Sequence, residues 1–81
     1  MPKTTYGRLE EVLRSLHFSL AAVEEENKVY VHKETGALIA FPKFPADREV
    51  QPAHLLAARA ALDAYGIADP LDFAAKLQRA S

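Results

Sequence analysis

Tyr6, Leu9, Val12, Leu13 and Leu16 recur every three or four residues, a spacing that lays one apolar stripe along an amphipathic helix. Thr4 or Thr5 stands where a cap is needed, and Gly7 weakens only the first turn. The pattern then shortens. Residues 18–23 form a brief apolar run, three glutamates and Asn27 make a turn, and residues 28–32 are β-branched and aromatic. Glu34, Thr35 and Gly36 turn the chain back into residues 37–41, a third strand that Pro42 ends. The simplest product is a three-stranded antiparallel meander.

Residues 44–51 read as a loop. Pro52 suits the first turn of a second helix, whose stripe is Leu55, Ala58, Leu62 and Tyr65 and whose end is a left-handed Gly66. Asp69 and Pro70 repeat the start signal, with Asp72 three residues beyond the cap, and Leu71, Phe73, Ala74 and Leu77 pack a last short helix. The order is α-β-β-β-α-α, an α+β fold with a three-stranded antiparallel sheet and its helices on one face. Residues 1–81 form one domain without internal repeat or linker.

Strand alternation sends Val29 and Val31 one way and Lys28, Tyr30 and His32 the other. With the valines turned toward the helices, Lys28, Tyr30 and His32 would line the open face of the sheet. That expectation makes them the centre of a candidate binding surface.

Composition narrows the chemistry. Ten basic and eleven acidic residues leave a net charge of −1, without the basic bulk that many nucleic-acid binders carry. The distribution matters more, because Lys28, Lys33, Lys43 and Arg48 fall in one stretch after the glutamate triplet and could form a modest basic patch. The absence of cysteine excludes disulfides, thiolate metal sites and thiol nucleophiles. No apolar run is long enough to span a bilayer, so the expectation is a cytoplasmic protein that makes no use of the membrane.

Three histidines offer little as a metal centre, since His17, His32 and His54 lack ligand spacing, and no cofactor is expected. His17 falls at a helix end, where an imidazole can pair with free carbonyls. His54, in the first turn of the second helix, is expected in solvent. Tyr30, with Phe41 or Phe44 nearby, could stack on an RNA base, or simply form a cross-strand aromatic pair that steadies a small sheet.

Nearly the whole chain resembles the HicA family of toxin–antitoxin ribonucleases. The resemblance rests on the helix at 9–16 leading into a strand and on the proline-closed strand Ile39, Ala40, Phe41, Pro42. It continues through the helix from Leu55 to the Gly66–Ile67 turn and the final helix from Asp69 to Leu77. It implies a fold similar to the double-stranded RNA-binding domain, an mRNA-cleaving activity and a covering antitoxin protein. The family's Gly-Ser-His motif is missing, however: Glu26, Asn27 and Lys28 stand in its place.

Lysine is a poor substitute there. Metal-independent RNA cleavage wants a base poised near neutrality, whereas an ammonium binds phosphate as a point charge. His32, one strand repeat further on, is a weak candidate for a displaced catalytic histidine. The leading expectation is therefore a non-catalytic RNA-binding domain using Lys28, Tyr30, His32, Lys33, Lys43 and Arg48. The alternatives are a protein-interaction domain or homodimer without nucleic-acid function, and an active mRNA interferase that uses His32.

Overall fold

The computed structural model describes residues 4–78. Its elements are α1 (Tyr6–Ser15), β1 (Phe18–Val23), β2 (Asn27–His32), β3 (Ala37–Pro42), α2 (Pro52–Ala64) and α3 (Pro70–Gln78). The α-β-β-β-α-α order and the antiparallel sheet β1-β2-β3 are as the sequence pattern predicts. The chain is thus an α+β protein built on a three-stranded open sheet.

Helix α1 begins where Thr5 Oγ1 accepts the Arg8 N–H at 3.2 Å. The other free N–H groups of its first turn are met by the loop after β3. Tyr6 donates to the Arg48 carbonyl and Gly7 to that of Ala46, both at 2.9 Å, while Val50 donates to Thr4 at 2.8 Å. The segment between β3 and α2 is thereby tied to the start of α1, with Val50 buried beneath it. Gly7 has a further reason to be glycine: a Cβ there would lie 3.1 Å from both the Cβ and the carbonyl oxygen of Ala46.

At the far end of α1 the chain must reverse into β1 within two residues. His17 makes the turn by adopting φ +72°, donating its N–H to the Arg14 carbonyl at 3.0 Å. Histidine tolerates the left-handed region better than most side chains. The expected pairing at this helix end is therefore made by the backbone, and the His17 side chain lies exposed. Gly36 and Gly66 take positive φ, 78° and 68°, at the two reversals where the sequence asks for it.

Helices α1 and α2 cover one face of the sheet. Tyr6, Leu9, Leu13, Ala58 and Leu62 pack there against Phe18, Tyr30, Ile39 and Phe41. Helix α3 rests on the two helices through buried Phe73, and its last turn is held by Arg8, which donates to the Lys76 carbonyl at 2.8 Å and the Leu77 carbonyl at 3.4 Å. Its start is as predicted, with Asp69 Oδ1 accepting the Asp72 N–H at 2.8 Å.

The register reverses the face assignment of the middle strand. Tyr30 lies opposite Ile39 and Leu20, His32 opposite Ala37 and Phe18, and Lys28 opposite Phe41 and Val23. Directly opposed residues share a face, so Lys28, Tyr30 and His32 point toward the helices and Val29 and Val31 away from them. Between Leu20 and Ala22 the register shifts, leaving Ala21 as an extra residue in β1. Among the described residues, no helix is long and apolar enough to cross a membrane.

Candidate functional site

The six predicted binding residues do not form one surface. Tyr30 has no exposed area and His32 retains 6 %. Lys28 is half-buried at the end of the covered face, its ammonium 3.3 Å from Glu10 Oε1. Lys33 and Lys43 are exposed, but Lys33 lies in the β2–β3 turn and Lys43 just past β3, at opposite ends of the sheet. The Arg48 guanidinium lies over the Phe44 ring, 4.0 Å from its centroid, and Phe44 meets Tyr6 edge-on at 5.1 Å. The expectation that Lys28, Tyr30 and His32 line an open face is therefore corrected: the helices cover all three.

What joins Lys28 to Tyr30 is a polar cluster at the α1–sheet boundary. The Tyr30 hydroxyl donates to Glu10 Oε1 at 2.5 Å and accepts from Arg14 Nη2 at 3.3 Å. The Arg14 guanidinium also stands 5.9 Å from the Tyr30 ring centroid. Lys28 Nζ reaches both carboxylate oxygens of Glu10. Burial, and then the hydrogen bond and charge of Glu10, push the Tyr30 hydroxyl up to about 12, with Arg14 opposing part of the rise. The Tyr30 hydroxyl therefore holds its proton harder than an ordinary tyrosine. The geometry of the cluster suits it to fixing α1 on the sheet.

Sequence reasoning missed Glu10 and Arg14. A signal for Glu10 was present: it is four residues beyond Tyr6 and three before Leu13, hence on the buried side of α1. A carboxylate there requires partners, and β2 supplies Tyr30 and Lys28, with Arg14 on the next turn of α1 donating to the Tyr30 hydroxyl.

His32 is packed tilted against the Phe18 ring, centroids 5.2 Å apart, and shares a 3.0 Å hydrogen bond between its Nδ1 and Thr35 Oγ1. Thr35 Oγ1 also accepts the Ala37 N–H at 3.2 Å. The imidazole thus stabilises the β2–β3 turn from the covered side. His54, expected in solvent, is instead half-buried with Nδ1 2.7 Å from the Tyr6 hydroxyl, which also accepts the Gln51 N–H at 3.3 Å. Tyr30 does stack on Phe41, at 5.8 Å and 16° between ring planes, so the aromatic pair exists within the core. Among the described residues, no three of His, Cys, Asp and Glu converge as a metal site would require.

The face left open is of another character. Two cross-strand rows make it: Ser19, Val31 and Leu38, then Ala22, Val29 and Ala40. None of these side chains is charged, and Leu38 is 61 % exposed. Charge gathers at the margins. Glu25 and Glu26 line a shallow depression with Pro42 and Lys43 at one end, and the Lys43 N–H donates to the Glu26 carbonyl at 3.0 Å. A second apolar surface is the groove of about 350 Å³ between α2 and α3, lined by Leu55, Leu56, Phe73 and Leu77 among others.

No protein-family model, curated protein or solved structure matches the chain.

Proposed function

We propose that this chain is a non-catalytic association domain that works through the uncovered face of its sheet, and that the partner on that face is a second copy of the same chain. The chemistry of the face carries this reading: six neighbouring positions on three strands are uncharged, and the largest side chain, Leu38, stands mostly in water. A contiguous apolar surface gains free energy when water leaves it. A pleated, flat face of small and β-branched residues fits another such face, stacked as two sheets in a sandwich. In a two-fold pair each copy hides the same residues, so one sequence meets both demands.

The element order supports reading the fold as dsRBD-like and the chain as a HicA-like relative that has lost catalysis. Lys28 occupies the position where that family's histidine is expected, and Glu10 holds it. His32, the displaced candidate, has its ring against Phe18 and one nitrogen engaged by Thr35. RNA binding has less support from the geometry. Of its exposed cations, Lys33 and Lys43 stand roughly 20 Å apart, the length of a six-residue strand, and Arg48 is drawn over the Phe44 ring. The turn beside Lys43 carries three glutamates, which repel the phosphates that supply most non-specific affinity.

Sedimentation velocity over a wide concentration range tests the proposal. The wild-type chain is expected to move from monomer to dimer, and Leu38→Glu, which changes only a side chain in water, is expected to stay monomeric while keeping its fold. A native gel with pooled structured and single-stranded RNA at low salt runs beside it. RNA retention by a strictly monomeric chain would replace this reading with the nucleic-acid one.

A further inference from the structure

We infer that the groove between α2 and α3 is a binding site for a small apolar carboxylic acid, whose hydrocarbon body lies along the groove and whose carboxylate pairs with Arg59. Leu55, Leu56 and Arg59 line it from α2, and Phe73, Ala74 and Leu77 from α3, with the first residue of each helix completing the wall. Both sets share one spacing, two adjacent residues and a third one turn on, so each helix turns a single narrow stripe to the groove. The lining comes from the helices alone, which leaves the site separate from the uncovered face of the sheet.

Side-chain size shapes the groove. Phe73, 2 % exposed, forms its floor, and Leu55 and Leu77 are half-buried beside it. Ala74 is the small residue of the wall, and its single methyl leaves room that a larger side chain would fill. Leu56, 59 % exposed, carries the apolar wall outward into solvent. The stripe from residue 52 to residue 59 of α2 is about 10 Å long at the rise of an α-helix. A volume of about 350 Å³ falls in the range of roughly 300–1,000 Å³ that small-molecule sites occupy.

Charge names the ligand. Among the described residues, Arg59 is the one charged side chain in the lining, and it stands at the end of the α2 stripe. The groove is therefore apolar along its length and cationic at one end. Four arginines fall among the described residues. Arg8 holds the last turn of α3, Arg14 the Tyr30 hydroxyl, and Arg48 lies over the Phe44 ring. Arg59 has no hydrogen bond or ion pair within the described chain, and Asp63, one turn further along α2, does not pair with it.

A guanidinium is a fork of N–H donors that matches the two oxygens of a carboxylate. Hydrocarbon entering the groove gains free energy as water leaves both surfaces. An apolar body with a carboxylate at one end uses both features. An alcohol of the same length uses only the first, and an alkylammonium meets repulsion where the acid meets a partner.

Sodium octanoate, 1-octanol and octyltrimethylammonium, each titrated into the full chain with ¹³C-labelled methyl groups, test the site. Octanoate is expected to bind with a dissociation constant on the order of 0.1 to 1 mM. It should shift the methyl signals of Leu55, Leu56 and Ala74 and leave those of Leu38 and Val31 in place. Octanol is expected to bind about 3- to 10-fold more weakly, and the alkylammonium more weakly still. Arg59→Gln, at an exposed side chain with no partner to lose, should bring octanoate down to the level of octanol, while Arg59→Lys keeps most of the preference. Ala74→Phe, which fills the groove from an exposed position, should abolish binding with the circular dichroism unchanged. Equal binding of octanoate and octanol, a preference that survives Arg59→Gln, or shifts confined to Leu38 and Val31 would overturn the site, as would no binding well above the expected constant. None of these results moves the sedimentation of the chain, so this inference and the association reading fail separately.

Discussion

Removing the Tyr30 hydroxyl should change how stability depends on pH as well as how large it is. The hydroxyl has no exposed area, donates to Glu10 and accepts from Arg14. Near neutrality, Tyr30→Phe takes a charge-assisted hydrogen bond from Glu10, which keeps Lys28 as a partner. The expected cost is about 1.5 to 3 kcal/mol, toward the lower end because of Lys28. For 81 residues the whole stability is on the order of 4 to 12 kcal/mol, so the loss is easily resolved.

Alkaline pH should erase the difference. In the folded chain the Tyr30 proton is retained up to about 12, against an ordinary value of 10.0. The native state therefore holds a proton that the unfolded state releases, and stability falls as pH rises between those two values. A raise of that size corresponds to about 2 to 3 kcal/mol, fully present below the unfolded value and lost as pH passes through the folded one. Urea unfolding of both proteins from about pH 8 to about pH 12 isolates this term, because every other side chain is common to both. The wild-type advantage should shrink across the window and vanish near its top. A difference that does not vary with pH, or a tyrosinate absorbance titration in which all three tyrosines ionise near 10, would refute the account.

Leu62→Ala should cost about 2 to 5 kcal/mol by leaving a cavity under α2, whereas Leu71→Ala, at a side chain 84 % exposed, should stay within about 0.5 kcal/mol; thermal unfolding separates them. Gly7→Ala should destabilise by about 1 kcal/mol despite alanine's better helix propensity, since its methyl would crowd Ala46 at 3.1 Å, and calorimetry showing a gain would mean that the loop yields freely. His32→Ala should lower stability by about 1 to 3 kcal/mol through lost packing on Phe18 and a lost partner for Thr35, as equilibrium denaturation would measure.

The elements were legible because each carries its own local signal. The apolar stripe of α1, the Asp69–Pro70 start and the glycine reversals depend on neighbours only a few residues away. The face of β2 was not, because alternation defines two faces without saying which is covered. Valines on one side and Lys28, Tyr30 and His32 on the other made the valines look interior. The deciding residues were on β3, where the Ile39 and Phe41 side is bulkier than the Leu38 and Ala40 side. Once Ile39 is buried, the register places Tyr30 beside it. Reading the two strands jointly, with the four-residue turn between them, would have found the correct side. The partners of Glu10 and the loop bonds at the start of α1 are long-range pairings of this kind. His54 escaped for the same reason, since its partner Tyr6 lies 48 residues earlier.

The extra residue Ala21 blunts one of the two open margins of the sheet. Strand β1 is an outer strand without a charged side chain, the sort of margin on which further chains can add one after another. Face pairing about a two-fold axis uses up its own surface and ends at two, but pairing along a free margin has no such end and leads to filaments. The irregularity between Leu20 and Ala22 breaks the even spacing of amide and carbonyl groups that an incoming strand would have to match. Straightening β1 by deleting Ala21 is therefore expected to favour strand addition along that margin, read as turbidity that rises with concentration.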